Sequence, residues 1–314
     1  MKITNAVTFL AVTVLSLVSS FYTTAFAAGA SSNTLKKAQV LNQNQTVLSA
    51  DRVEKFEETQ PMDFAIMATV SRSTSLVDFK DGSRHDGMDY MLIPAFKMKY
   101  GQVSAKIAYS QNLRDTETSS AKEDSDFADI PFTFAFNPYN WKWSPPYIVA
   151  ITPTITMVAP VSQQSTQKDQ LQTAVIGGIS FAIIPDGIAP KKDGAFNLAL
   201  GVTAGRSFHP YEEDINGTVL NKYSSNQTVN LGYTYKNFSI GTEYIHKTRW
   251  TYQGNVRDAF ELSEEIGYAI NDHFTAAIGH TNGGSGLKED GTESNFRVVN
   301  ENDSTVYVQM GVSF

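Results

Sequence analysis

From Met62 to the C-terminus, apolar side chains recur at every second position through one strand-length run after another. A period of two puts the apolar groups on one face of a β-strand and everything else on the other. Twelve such runs follow one another. The first, Met62 to Leu76, carries Phe64, Ile66, Ala68 and Val70, and the second carries Met88, Tyr90, Leu92, Pro94, Phe96 and Met98. Val103 to Tyr109 and Ile130 to Phe136 follow, then Tyr147 to Met157, Val175 to Ile183 and Phe196 to Val202. The series ends with Val229 to Tyr235, Phe238 to Tyr244, Phe260 to Ile270, Phe274 to Ile278 and the tail from Val306. The connections alternate too. Two-residue turns stand at 100–101, 236–237 and 271–272, with longer ones near 137–145 and 185–194. Between these fall polar loops near 77–86, 114–126, 160–170, 208–223, 251–258 and 282–302.

The tail is the most informative segment. Val306, Val308, Met310, Val312 and the terminal Phe314 alternate with Tyr307, Gln309, Gly311 and Ser313. A chain that stops on an aromatic residue at the end of such a strand resembles the bacterial outer-membrane β-barrel proteins. That resemblance implies a place in the outer membrane and a terminal strand read by the barrel assembly machinery. Short turns on one rim and long loops on the other fit the same picture. The expected fold is therefore all-β: a transmembrane antiparallel up-and-down barrel of about twelve strands over residues 62–314, with periplasmic turns and longer extracellular loops. A soluble β-sandwich also alternates, but it turns its apolar faces inward.

The N-terminal part has a different character. Lys2, an apolar run from Ala6 to Val18 and Ala25-Phe26-Ala27 together read as a secretory signal peptide over residues 1–27. Residues 28–61 are rich in Ser, Asn, Gln, Lys and Glu, and read as a periplasmic segment or a lumen plug. No cysteine is present, which excludes a lipid anchor on cysteine and any disulfide. Mean hydropathy is −0.23, as a barrel with only alternate residues in lipid requires. The net charge of −7 disfavours nucleic acid. Excess carboxylate suits divalent-ion bridging to lipopolysaccharide, so outer-membrane lipids are the expected partners.

Aromatic positions sharpen the membrane reading, because Tyr and Trp prefer the water interface. Tyr100, Tyr139, Trp141, Trp143, Tyr147 and Tyr235 fall at the short-turn rim, and Trp250, Tyr252 and Tyr90 at the other. The face opposite the aliphatics carries small residues and the charges Lys97, Lys99, Lys106, Glu243, Lys247, Arg249, Glu261 and Glu265. These are the candidate lumen residues, in a wet bore or in a closed ion-pair network. On the lipid face a Lys or Arg at the midplane costs about 2–4 kcal/mol. Glu264 breaks the pattern: parity with Leu262 and Ile266 turns it to lipid, which calls for a register-shifting bulge or a partner.

Catalytic chemistry is thinly represented. Outer-membrane lipid hydrolases pair a His with a Ser two residues along one strand. His280 has outward parity near the outer rim, but Asn282 stands where that Ser belongs, and Ser285 lies in a Gly-rich loop. Asp124, Asp126 and Asp129, like Glu212, Glu213 and Asp214, match no ordered cation loop and read as solvated acidic loops. No motif asks for a metal or cofactor. The expected function is passive passage of small polar or charged solutes. A lipid hydrolase using His280 and a non-conducting structural or surface-interaction barrel are the alternatives.

Overall fold

The structure is a computed structural model that describes residues 63–76, 86–113, 125–144, 147–185, 194–286, 296, 298–299 and 304–314. The expected signal peptide and the 28–61 segment lie outside the described residues. The described residues form β1 (Asp63–Ser75), β2 (Asp86–Met98), β3 (Gly101–Ala105), β4 (Ile107–Asn112), β5 (Ser125–Phe127), β6 (Ile130–Phe136), β7 (Tyr139–Ser144) and β8 (Tyr147–Ala159). It continues through β9 (Thr173–Pro185), β10 (Ala195–Phe208), β11 (Asn221–Tyr235), β12 (Phe238–Thr251), β13 (Val256–Ala269), β14 (Phe274–Ser285) and β15 (Thr305–Ser313).

All pairings are antiparallel, and β1 bonds both β2 and β15, so the sheet closes on itself. β3 with β4, and β5 with β6 and β7, are each one interrupted strand, and the result is a closed barrel of twelve strands. The break between β3 and β4 has a local cause. The Lys106 N–H donates to the Pro131 carbonyl at 3.2 Å. Proline has no N–H to return the bond, so the ladder lapses there. At the seam the Phe314 N–H donates to the Ile66 carbonyl at 2.9 Å, and the Ile66 N–H donates back at 3.1 Å. The C-terminal aromatic residue is thus stitched to the first strand.

The two faces separate as period-two chemistry requires. Outward lie Phe64, Val202, Ile240, Ile266, Val308 and Met310, all exposed. Inward lie Thr69, Ser71, Ser263 and Gln309, all at 3% exposure or less. The aliphatic half faces away from the bore, as a bilayer demands and a water-soluble sandwich does not.

Three connections differ from expectation. Residues 137–145 are mostly strand: β7 continues the line of β6 and pairs with the lower half of β8. β3 starts at Gly101, opposite Phe136, so among the described residues β7 has no partner on that side and its hairpin extends beyond the short-turn rim. Half of residues 251–258 is strand as well. The Thr251 N–H donates to the Asn255 carbonyl at 2.9 Å, and Gly254 takes φ +83°, so only a tight turn joins β12 to β13. β11 begins at Asn221, eight residues before the apolar alternation becomes visible.

Candidate functional site: the lumen wall

Residues directly opposite in an antiparallel pair share a face and lie close enough to bond. Most of the inner wall is built this way. Asn230 pairs with Glu243 and donates Nδ2–H to Oε2 at 2.9 Å, with both side chains buried. Asp89 pairs with Ser110 and accepts its hydroxyl at 2.6 Å. The hydroxyls of Thr133 and Thr156 bond across β6 and β8 at 2.8 Å, and those of Thr281 and Thr305 across β14 and β15 at 2.6 Å.

Two longer reaches complete the charged sector. Lys247 forms an ion pair with Glu261, one diagonal away across β12 and β13. Tyr307, Gly279 and Glu265 occupy one cross-strand row. The Tyr307 ring spans the glycine and its hydroxyl donates to Glu265 at 2.8 Å. A side chain at 279 leaves no room for that ring: a Cβ there lies 2.2 Å from its Cζ.

The eight charges expected on this face are not brought into one cluster. Glu243, Lys247, Glu261 and Glu265 stand together on β12 and β13. Arg249 lies toward the long-loop end and donates to Asn226 Oδ1 at 2.8 Å. Lys106, from the opposite side of the barrel, interacts electrostatically with Glu261. Lys97 and Lys99 stand apart at the short-turn end, Lys99 with its ammonium 5.3 Å from the Tyr100 ring centre. Asn230 and Tyr307, which bind two of the carboxylates, are ordinary members of the alternation and have no motif to announce them.

Burial divides the inner wall. Along β1, β2 and β11–β15, Thr69, Asp89, Asn230, Glu243, Glu261 and Tyr307 are closed off. Along the middle of β8–β10, Thr152, Thr154, Thr156, Ser180 and Thr203 are only half-buried, while Ala150 and Ala174 at the ends of this face are buried. Met91 and Ile93 of β2 also turn inward and pack with Met67.

The outer wall resolves the Glu264 anomaly. The register through Thr242, Glu264 and His280 is continuous, so no bulge intervenes. Glu264 instead has a partner, with Oε2 3.0 Å from His280 Nδ1. Among the described residues the other ring nitrogen, Nε2, is buried without a hydrogen-bond partner. Closer to the outer rim, His246 Nδ1 lies 2.6 Å from Gln227 Oε1. Thr248 there donates to Asp258 at 2.8 Å. Asp129, read from sequence as part of an acidic loop, is a strut. Its Oδ1 accepts the N–H groups of Val161 and Ser162 at 3.1 and 3.0 Å, and Oδ2 accepts the Ser165 hydroxyl. Asp126 takes the Gln163 N–H at 3.0 Å.

The short-turn rim carries exposed Tyr100, Tyr139, Trp141 and Tyr235. Trp143 lies in β7, and Tyr147 opens β8. Ring pairs Phe196–Tyr233 and Phe238–Tyr268, with centres 4.6 and 4.8 Å apart, extend this rim. At the other rim Trp250 is the next-to-last residue of β12, and the Tyr252 hydroxyl donates to the Ser207 carbonyl at 3.3 Å.

A closed twelve-strand barrel with apolar outer and polar inner faces defines the class: the fold is that of bacterial outer-membrane β-barrel channels. Among solved structures, the chain is similar to the COG4313 outer-membrane channel from Pseudomonas putida F1. The TM-score is 0.51 at 9% identity, covering 82% of this chain and 98% of that one. It is also similar to the KdgM porin in complex with oligogalacturonate, with TM-score 0.41, 10% identity and coverage of 78% and 99%. For OccK8 (OprE) of Pseudomonas aeruginosa the values are 0.38, 7%, 81% and 98%. No protein-family model matches the chain, and no curated protein matches it in sequence.

Proposed function

We propose that the barrel is a passive channel for small polar or charged solutes. The observation that carries this reading is the uneven inner wall. One side is packed with mutually bonded charged groups, while water reaches the hydroxyl-lined side formed by β8–β10. A bore bounded by paired fixed charges on one side filters by electrostatics and needs no chemistry. The ion pair Lys247–Glu261 and the neighbouring Glu243 set the field that a passing ion meets.

The test is conductance of the purified barrel in planar bilayers. Discrete steps are expected, and Glu243→Gln with Glu261→Gln is expected to shift the cation-to-anion permeability ratio toward anions. Absence of steps counts against conduction. Steps whose ion preference ignores both substitutions count against the assigned filter.

A further inference from the structure

One charged feature of the outer wall is used by neither the fold nor the bore. Arg206 of β10 has the same outward parity as exposed Val202, with Ala204 between them, and is itself exposed near the outer end of its strand. In cross-strand register it faces Val175 on one side and Tyr223 on the other, and Tyr223 in turn faces Trp250. Val175 and Tyr223 are both exposed. The row therefore runs along the upper edge of the lipid-facing surface, where hydrocarbon gives way to headgroups.

Two cations meet there. The Arg206 guanidinium lies 4.8 Å from the Phe208 ring centre and 5.8 Å from that of Tyr223. The Lys222 ammonium lies 5.5 Å from the ring centres of both Tyr223 and Tyr252. Both charges thus rest against one tyrosine ring. Among the described residues neither has a carboxylate at ion-pair distance. Glu212, Glu213 and Asp214 stand in the connection between β10 and β11 and pair with neither. Aromatic rings hold the cations in place without neutralising them. Two adjacent positive charges repel unless an anion lies between them.

We propose that Arg206 and Lys222 bind a phosphate group on the headgroup of an outer-leaflet lipid. An Arg–phosphate contact is planar and bidentate, and a lysine beside it adds a point charge. Val175, Val202 and the Tyr223 ring offer the apolar surface along which the acyl chains of the same molecule lie. The ligand is therefore a lipid rather than a free anion. This assignment rests on the outward face meeting the bilayer and is independent of whether the bore conducts.

The full mature barrel, in phosphatidylcholine nanodiscs and magnesium-free buffer, is titrated with bisphosphorylated lipid A and read by native mass spectrometry. One tightly held lipid per barrel is expected. Arg206→Ala with Lys222→Ala should weaken it about a hundredfold, from the loss of two charge-assisted contacts. Lys236→Ala, which removes a cation resting on Tyr235 at the opposite rim, should change nothing. Chemically dephosphorylated lipid A should bind as weakly to the native barrel as phosphorylated lipid does to the double variant. Equal binding by native and double-variant barrels overturns the site. An equal loss in Lys236→Ala reduces it to general charge attraction. Displacement of the lipid by millimolar inorganic phosphate makes it a free-anion site and overturns the lipid assignment. An unchanged urea midpoint in the double variant confirms that the barrel itself is intact.

Discussion

Substitution of Gly279 by alanine should destabilise the barrel by an amount the lumen geometry allows one to work out. The new Cβ lies 2.2, 2.3 and 2.5 Å from Cζ, the hydroxyl oxygen and Cε1 of Tyr307. All three of these nearest atoms belong to that side chain, so the ring swings aside rather than the strand. Swinging breaks the 2.8 Å hydrogen bond to Glu265, and losing a bond to a charged group costs about 1.5–3 kcal/mol. Crowding the displaced ring into a packed wall adds about 1–3 kcal/mol. The expected loss is therefore about 2.5–6 kcal/mol in total. Urea unfolding in lipid vesicles, followed by the fluorescence of Trp141, Trp143 and Trp250, measures it. Tyr307→Ala removes the obstacle, and in that background Gly279→Ala should cost less than about 1 kcal/mol. Equal losses in the two backgrounds would show that the ring-over-glycine contact does not govern this wall.

Three further outcomes are expected. Glu264→Leu or His280→Phe alone leaves one polar group stranded on the apolar outer wall and should cost about 1–3 kcal/mol, whereas the two together should be neutral or stabilising; a double variant as unstable as either single one contradicts the pairing. Met310→Arg places a charge in the lipid belt and should cost about 2–4 kcal/mol, against less than half of that for Thr203→Arg on the wet inner face. Equal costs would refute the assignment of faces. Asp129→Asn weakens the strut beneath the 160–168 turn and should speed tryptic cleavage after Lys168 several-fold, while an unchanged rate would show that the turn holds without it.

The strand set was largely legible because each lipid-facing strand repeats one aliphatic or aromatic residue in two. Legibility failed where lipid contact ends. The upper half of β11, Asn221 to Thr228, has only Tyr223 as a large apolar residue, and its outward Ser225 and Gln227 show no apolar alternation although the backbone ladder continues unbroken from Tyr223. β7 falls where a connection near 137–145 is expected from sequence: Tyr139, Trp141 and Trp143 alternate, but as interfacial aromatics they read as the rim rather than as a strand. Cross-strand partners cannot be read from one strand alone. Glu264 looked anomalous because its partner, His280, lies on the next strand and becomes visible only with the register. Asp129 looked like a solvated loop residue because the amides it accepts are more than thirty positions away along the chain. Parity along one strand does not say which charges stand together: the grouping of Glu243, Lys247, Glu261 and Glu265, apart from Lys97 and Lys99, needs the β12–β13 register.

The most direct test of the account is the accessibility of the last strand in a bilayer, residue by residue. The chain has no cysteine, so single cysteines from 306 to 313 can each carry a nitroxide in the reconstituted barrel. Labels at 306, 308, 310 and 312 should relax with lipid-soluble oxygen, and those at 307, 309 and 311 should be shielded from it. A profile with no period of two, or with oxygen reaching the odd positions, would contradict the division of the wall into a lipid face and a lumen face.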